Sequence, residues 1–315
     1  METKTLYILA PCYNEEAVLP ITSKIFLDKL NSLINSGKIS AQSRVVFVDD
    51  GSKDKTWEII ESLHELDPKF VGVKLSRNRG HQNALLGGMS TVVNDCDMIV
   101  TIDADAQDDV TAIDKMVDDY YSGSEIVYGV RASRETDTFF KRTTAQGFYK
   151  FMSMMGVETV YNHADFRLMS SRAVKALLDF KEVNLFLRGM VPLVGFKSSS
   201  VTYDRAPRVA GESKYPLKKM LAFAFDGITS FSIKPIRVIT FLGGITLFFS
   251  LIFAIYALVS FFVNKTVPGW TSTVLSIWFF GSLQLLAIGV VGEYIGKIYL
   301  ETKSRPRFFI EKYLK

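Results

Sequence analysis

Cysteine is nearly missing from this chain: 315 residues contain two, Cys12 and Cys96, and they form no CxxC pair. No disulfide framework can be built from them, and both read as buried thiols. The opening stretch METKTLYILAPCYNEE lacks the apolar core of a cleaved signal peptide, because Asn14, Glu15 and Glu16 follow the short apolar run at once. No GxGxxG turn follows that run either, which argues against a dinucleotide-binding dehydrogenase. A strong basic excess is also absent. The net charge is +4, and much of it lies beside two uncharged runs, so an anionic membrane surface explains it better than nucleic acid does.

Those runs, Val238 to Val263 and Trp270 to Gly292, contain no Asp, Glu, Lys or Arg at all. Each exceeds the roughly 20 residues that an α-helix needs to cross a hydrocarbon core of about 30 Å. Two membrane-spanning helices are expected, over 236–263 and 270–298. Their connector carries one lysine, whereas Lys234 and Arg237 precede the first run and Lys297, Lys303, Arg305, Arg307, Lys312 and Lys315 follow the second. The positive-inside bias puts both termini in the cytoplasm and the connector outside the cell membrane. Residues 299–315 then form a basic cytosolic tail. Before the first span, 213–235 reads as juxtamembrane amphipathic helices on the cytosolic leaflet, broken near Gly227 and Pro235.

The cytosolic part, 1–212, alternates strand and helix. Thr5–Ala10, Arg44–Asp49, Phe70–Leu75, Asp97–Asp103 and Glu125–Val130 are short, near-continuous apolar runs of the kind buried on both faces of a sheet. Between them, Lys55–Leu66 and Asp109–Tyr121 place apolar residues at helical spacing. The pattern predicts an α/β fold with a mainly parallel, doubly wound sheet. Ligands of such sheets bind outside the carboxyl ends of the strands. The polar motifs of this chain fall there: APCYNEE after the first strand, VDDGSKD after the second, TIDADAQDD after the fourth.

Aspartates crowded as in TIDADAQDD repel one another, and a divalent cation removes the repulsion. Hard ions such as Mg²⁺ or Mn²⁺ prefer carboxylate and amide oxygens and share their shell with substrate phosphates. Asp103, Asp105 and Gln107 project to one side if the strand continues through them, which makes them the expected metal ligands. Asp105 is the most direct, with Asp103 acting there or through a ribose or water. Asp108 and Asp109 suit a helix N-terminus instead, and Asp54 or Ser52 suits the cap of the helix near Lys55.

The ordered motifs, together with VYGVRASR, HADFRLM, GESKY and a terminal apolar hairpin, resemble the family-2 glycosyltransferases of GT-A fold. The likeness runs over nearly the whole chain and is strongest to membrane-bound polyprenyl-phosphate glycosyltransferases, the bactoprenol glucosyltransferase and dolichol-phosphate mannose synthase kind. It implies a Rossmann-like GT-A domain and a metal-dependent, inverting transfer of one sugar, from a nucleoside-diphosphate sugar (UDP favoured over GDP) to polyprenyl (undecaprenyl) phosphate, serving cell-envelope glycan modification. Pro11, Tyr13, Asn14 and Glu15 would line base and ribose, with Asp49 or Asp50 at the base edge. Arg131 and the pair Lys141 and Arg142 would lie near the acceptor phosphate, with Arg134 a further candidate; a solvated basic face is the bland alternative. Asp165 sits where a catalytic base is expected, yet a phosphate monoester is already largely ionised at neutral pH, so the alternative roles for Asp165 are to orient the acceptor or to stabilise developing positive charge on the sugar ring. Arg208, Ser213 and Lys214 belong to a loop that either closes over the diphosphate or is only a linker. His81, beside Arg77 and Arg79 after the third strand, reads as structural. Relatives often form homo-oligomers, and the small residues of Phe241–Gly244 would allow close helix packing. A processive polysaccharide synthase is disfavoured by the missing QxxRW motif and the few spans, and a catalytically silent scaffold by the intact Asp103, Asp105 and Asp165.

Overall fold

A computed structural model of the chain describes residues 3–105, 107–131, 163–182, 185–204, 234–262 and 269–315. Arg134, Lys141, Arg142, Arg208, Ser213, Lys214 and most of the expected 213–235 helices lie outside the described residues. The chain divides into two units, one carrying a sheet and including Ser304–Lys315, the other carrying two long helices.

In the sheet unit, four parallel strands form the centre: β1 (Leu6–Cys12), β2 (Arg44–Asp49), β3 (Phe70–Leu75) and β4 (Met98–Thr101). Every residue of β1 and β4 is buried, as expected of runs with no solvent-facing side. Helices α1 (Leu19–Asn35), α2 (Thr56–Leu66), α3 (His81–Val92) and α4 (Ala112–Tyr121) connect or flank them. Phe26 of α1, Phe47 of β2 and Phe70 of β3 stack in sequence, with ring centroids 6.2 and 6.0 Å apart. Cys12 is buried, Cys96 is half-buried, and both are free thiols; burial pushes the Cys96 thiol up to about 12.

The sheet is mixed rather than wholly parallel. Beyond β4 come β5 (Ile126–Arg131), β6 (His163–Ser170) and β7 (Ser198–Tyr203), in the spatial order β7-β5-β6-β4-β1-β2-β3, with one further strand beyond β3. β6 inserts antiparallel between β4 and β5, so Asp165 lies inside a strand. Helix α5 (Ser171–Leu178) follows directly, its first turn capped by Ser170 Oγ, which accepts from Ala173 N at 3.0 Å. Helix α6 (Leu187–Leu193) is a short seven-residue element leading towards β7.

The segment expected to be a plain basic tail contains an eighth strand. β8 (Ile310–Leu314) pairs antiparallel with β3, and Ser76 N donates to Phe309 O at 3.0 Å just beyond the ladder. Tyr313 and Lys315 both reach Asp95, at 3.1 and 2.7 Å, while Lys74 pairs with Glu311 at 3.0 Å and Lys312 with Glu61 at 2.5 Å. Charged residues such as Glu311 and Lys312 are what an exposed edge strand tolerates.

The second unit contains α7 (Lys234–Phe262) and α8 (Trp270–Thr302), of 29 and 33 residues. Among the described residues, Phe279–Thr302 of α8 has the length and composition to cross a bilayer. Large apolar side chains such as Phe241, Phe248, Phe279 and Leu286 are exposed.

Candidate active site

The first two strand ends are stitched into one wall. Asp50 N donates to Cys12 O at 2.9 Å, Asn14 N to Ser52 Oγ at 3.0 Å, and Glu15 N to Thr56 Oγ1 at 2.8 Å. Asn14 adopts a left-handed backbone, φ 55°, which asparagine tolerates, and its Oδ1 accepts from Lys53 N at 2.9 Å. Pro11, Tyr13, Asn14, Glu15, Asp49 and Asp50 are therefore gathered together, with the Tyr13 ring exposed. The residue directly before α2 is Lys55, not the expected Asp54 or Ser52. Asp54 acts from one position further out, accepting from Thr56 N at 3.1 Å and Thr56 Oγ1 at 2.6 Å.

The two acids at the end of β2 have different work. Asp50 accepts from Arg79 N at 2.7 Å and Gly80 N at 2.8 Å, so both its oxygens fasten the loop after β3. Asp49 accepts from Ser52 N at 3.1 Å through Oδ1, while its buried Oδ2 has no hydrogen-bond partner. Burial raises the Asp49 pKa above the usual carboxylate range, against the hydrogen bonds from Ser52 that lower it. The two loops meet at Gly51, whose φ is +65° and where a Cβ would come within 2.5 Å of the backbone of Arg77 and Asn78. Only glycine fits that crossing.

The third acidic group forms where β6 enters beside β4. Thr101 pairs with Arg167 in the antiparallel register, and Thr101 Oγ1 donates to Asp165 O at 2.5 Å. Two residues beyond Thr101 is Asp103, and two before Arg167 is Asp165. From the first turn of α3, His81 Nε2 reaches both, lying 3.8 Å from Asp103 Oδ1 and 3.6 Å from Asp165 Oδ2. Asp165 is further engaged by Arg167 at 2.7 Å and by Arg188 of α6 at 3.2 Å.

These surroundings separate the two acids. Burial is the largest influence on Asp103 and raises it; Asp108, Asp165 and Asp105 add to that while His81 opposes, and the carboxyl is pushed up to about 6. Burial would raise Asp165 as well, but His81, Arg188 and Arg167 outweigh it and hold that carboxyl well below the usual range. Desolvation lowers His81, yet Asp165 and Asp103 more than reverse this and leave its pKa raised. Asp165 is thus a firmly ionised anchor with little appetite for a proton.

Further along the same loop, Asp105 Oδ1 accepts from Gln107 N at 3.1 Å, and Gln107 and Asp108 are buried. Asp108, expected to decorate a helix start, accepts from Tyr203 OH at 2.6 Å and lies 3.8 Å from Arg131. Arg131, expected near an acceptor phosphate, is thereby set against a protein carboxylate, with its Nε buried and unpartnered. Oxygen donors from Asp103, Asp105 and Gln107 suit a hard divalent ion. Among the described residues, no group of three His, Cys, Asp or Glu side chains could hold a metal by itself, so such an ion would complete its shell from ligand oxygens and water. His81 and Arg188 escaped the sequence reading: one looked structural, the other carried no signal, and only the non-local pairing of β4 with β6 brings them to Asp165.

The sequence matches known proteins along nearly its whole length. The family model described as glycosyl transferase family 2 matches residues 7–178. The uncharacterized glycosyltransferase YkoT of Bacillus subtilis (strain 168) is 51% identical over 306 residues, 97% of this chain and 91% of that protein. The bactoprenol glucosyl transferase of Shigella phage SfX is 37% identical over 308 residues, 96% and 98% of the two chains. Among solved structures, the mannosyltransferase PcManGT from Pyrobaculum calidifontis, in complex with GDP-Man and Mn²⁺, aligns at TM-score 0.44 and 14% identity over 94% of this chain and 88% of that one. The family match runs from β1 to the end of α5 and takes in every strand-end acid described above; with relatives aligned almost end to end, it establishes that this chain is a glycosyltransferase belonging to glycosyl transferase family 2.

Proposed function

We propose that the enzyme moves one hexose-type sugar from a nucleoside diphosphate, uridine favoured over guanosine, to a polyprenyl phosphate on the cytosolic face of the cell membrane. The observation that carries this reading is the geometry around Asp103 and Asp165: His81 Nε2 lies 3.8 Å from one and 3.6 Å from the other, and Asp165 alone is paired with Arg167 and Arg188, at 2.7 and 3.2 Å. A site so arranged has a place for a divalent cation on one side and a fixed charge on the other. The lipid acceptor is supported by relatives named bactoprenol glucosyl transferase and by the exposed apolar side chains of α7 and α8, which suit two membrane spans with the sheet unit in the cytoplasm.

In this reading Tyr13 stacks on the base, and the unpartnered oxygen of Asp49 accepts from a ring N–H. Asp50 keeps the loop after β3 in place. Asp103, Asp105 and Gln107 would hold Mg²⁺ or Mn²⁺, which when bound neutralises the leaving diphosphate as a Lewis acid. Asp165 does not remove a proton. The acceptor phosphate is already ionised at neutral pH and attacks the anomeric carbon opposite the diphosphate, inverting it, while Asp165 orients the cationic groups around it. Among the loop residues outside the described set, Arg208 and Lys214 would cover the diphosphate, and Arg134, Lys141 and Arg142 would approach the acceptor.

The test is nucleotide release by the purified, detergent-solubilised protein, using a panel of UDP- and GDP-sugars with and without Mg²⁺ or Mn²⁺ and undecaprenyl phosphate, with mass analysis of the lipid product. Release and a glycosylated lipid that require both additions support the proposal. Transfer at full rate in excess chelator, or release indifferent to the lipid, overturns it.

A further inference from the structure

Asp165 has more cationic partners than its own charge requires. Arg167 alone, buried and 2.7 Å from Oδ1, would neutralise it. Arg188 and His81 converge instead on the other oxygen, Oδ2, at 3.2 and 3.6 Å. Their side chains remain 35% and 41% exposed, unlike that of Arg167. Their chain neighbours are tied together: Gln82, the residue after His81, accepts from Leu187 N at 2.7 Å through Oε1, which links the first turn of α3 to the first turn of α6. One carboxylate is therefore surrounded by two guanidinium groups and an imidazole, and the imidazole also reaches Asp103. The local charge is positive beside a negative cluster.

We infer that Arg188 and His81, held by Asp165, form a seat for a phosphate oxygen immediately beside Asp103. This deepens the proposed function and rests on it for the identity of the ligands. Guanidinium N–H groups match phosphate oxygens in a fixed fork, and an imidazole N–H adds a further donor in either charge state. A phosphate here comes either from the donor diphosphate or from the acceptor monoester; the chemistry of the seat is the same. Asp165 is a positioning residue in this arrangement, and Arg188 and His81 are binding residues.

Calorimetric binding to the intact, solubilised protein separates the sources, with UDP against uridine for the donor and farnesyl phosphate against farnesol for the acceptor. In Arg188→Ala the affinity for one of the two phosphate ligands falls at least about tenfold, while its dephosphorylated counterpart binds as in wild type. Arg188→Lys recovers part of the loss, since charge returns without the fork. His81→Ala leaves both guanidinium partners of Asp165 in place and reports the same loss, smaller in size, should Arg188→Ala fail to fold. Wild-type affinity for both UDP and farnesyl phosphate in Arg188→Ala and His81→Ala overturns the inference. Because the readout is binding, loss of phosphate affinity in these variants beside a wild-type protein that transfers no sugar refutes the proposed function and leaves the seat standing.

Discussion

The same apolar residue types serve opposite ends in the two units. In the sheet unit, Phe26, Phe47 and Phe166 are buried among strands and helices; in the helical unit, Phe241, Phe248 and Phe279 stand exposed along α7 and α8. Polar chemistry is distributed in reverse, with acids massed at strand ends in one unit and charge excluded from long stretches of the other. The difference teaches that hydrophobicity alone does not say what covers a residue: a strand's side chains are covered by the chain's own helices, whereas a helix apolar all round needs an outside solvent of the same kind.

The comparison breaks first in the core. Phe47→Ala should lower the stability of the sheet unit by about 3 to 5 kcal/mol, read as a fall in the thermal midpoint; a shift no larger than that of a surface change would mean the stack is not a core. Next comes a matched pair of leucines, both exposed: Leu285 on α8 at 72% and Leu66 at the end of α2 at 82%. Leu285→Lys should cost about 2.5 to 3.5 kcal/mol in a bilayer and deplete the membrane fraction, while Leu66→Lys should stay within about 0.5 kcal/mol of wild type. Equal, small effects would remove lipid as the solvent of α8.

A smaller effect sharpens the contrast at the strand ends. Since the Asp103 pKa is raised to about 6, protons compete with a divalent ion below that pH and not above it. The half-saturating Mn²⁺ concentration for activity should be flat above about pH 7 and climb by roughly tenfold per unit well below 6. A flat response across pH 5 to 8 would detach Asp103 from the metal. Smallest is Tyr313→Phe, which deletes the 3.1 Å hydrogen bond to Asp95 and should cost about 0.5 to 1.5 kcal/mol, detectable as faster proteolysis of the segment after Thr302. Unchanged proteolysis would mean that β8 is held by its ladder and ion pairs alone.

The strands whose pattern is local were legible. The apolar runs at Arg44–Asp49 and Phe70–Leu75 coincide with β2 and β3, and α2 and α4 lie within the predicted helical stretches. What escaped depends on pairings between distant residues. Ile310–Leu314 contains Glu311 and Lys312 and reads as solvated chain until β3 is found beside it. Likewise β6 looks ordinary in sequence, but its antiparallel register with β4 sets Asp165 near Asp103 and turns His81 from a lone histidine into a bridge between acids. Asp49 and Asp50 were indistinguishable as neighbours, and only the loop donating to Asp50 separates them.

The pairing of β8 with β3 sets an order of manufacture. A ribosome makes β1 to β7 first and then both long helices, and only afterwards does the strand that covers the flank of β3 emerge. Until then Phe70–Leu75 presents bare backbone donors and acceptors, a template for pairing with other chains. A nascent chain that stalls within α7 or α8 is thus left with an unsealed sheet, so the half that does the chemistry is finished only in molecules whose two long helices have already been synthesised.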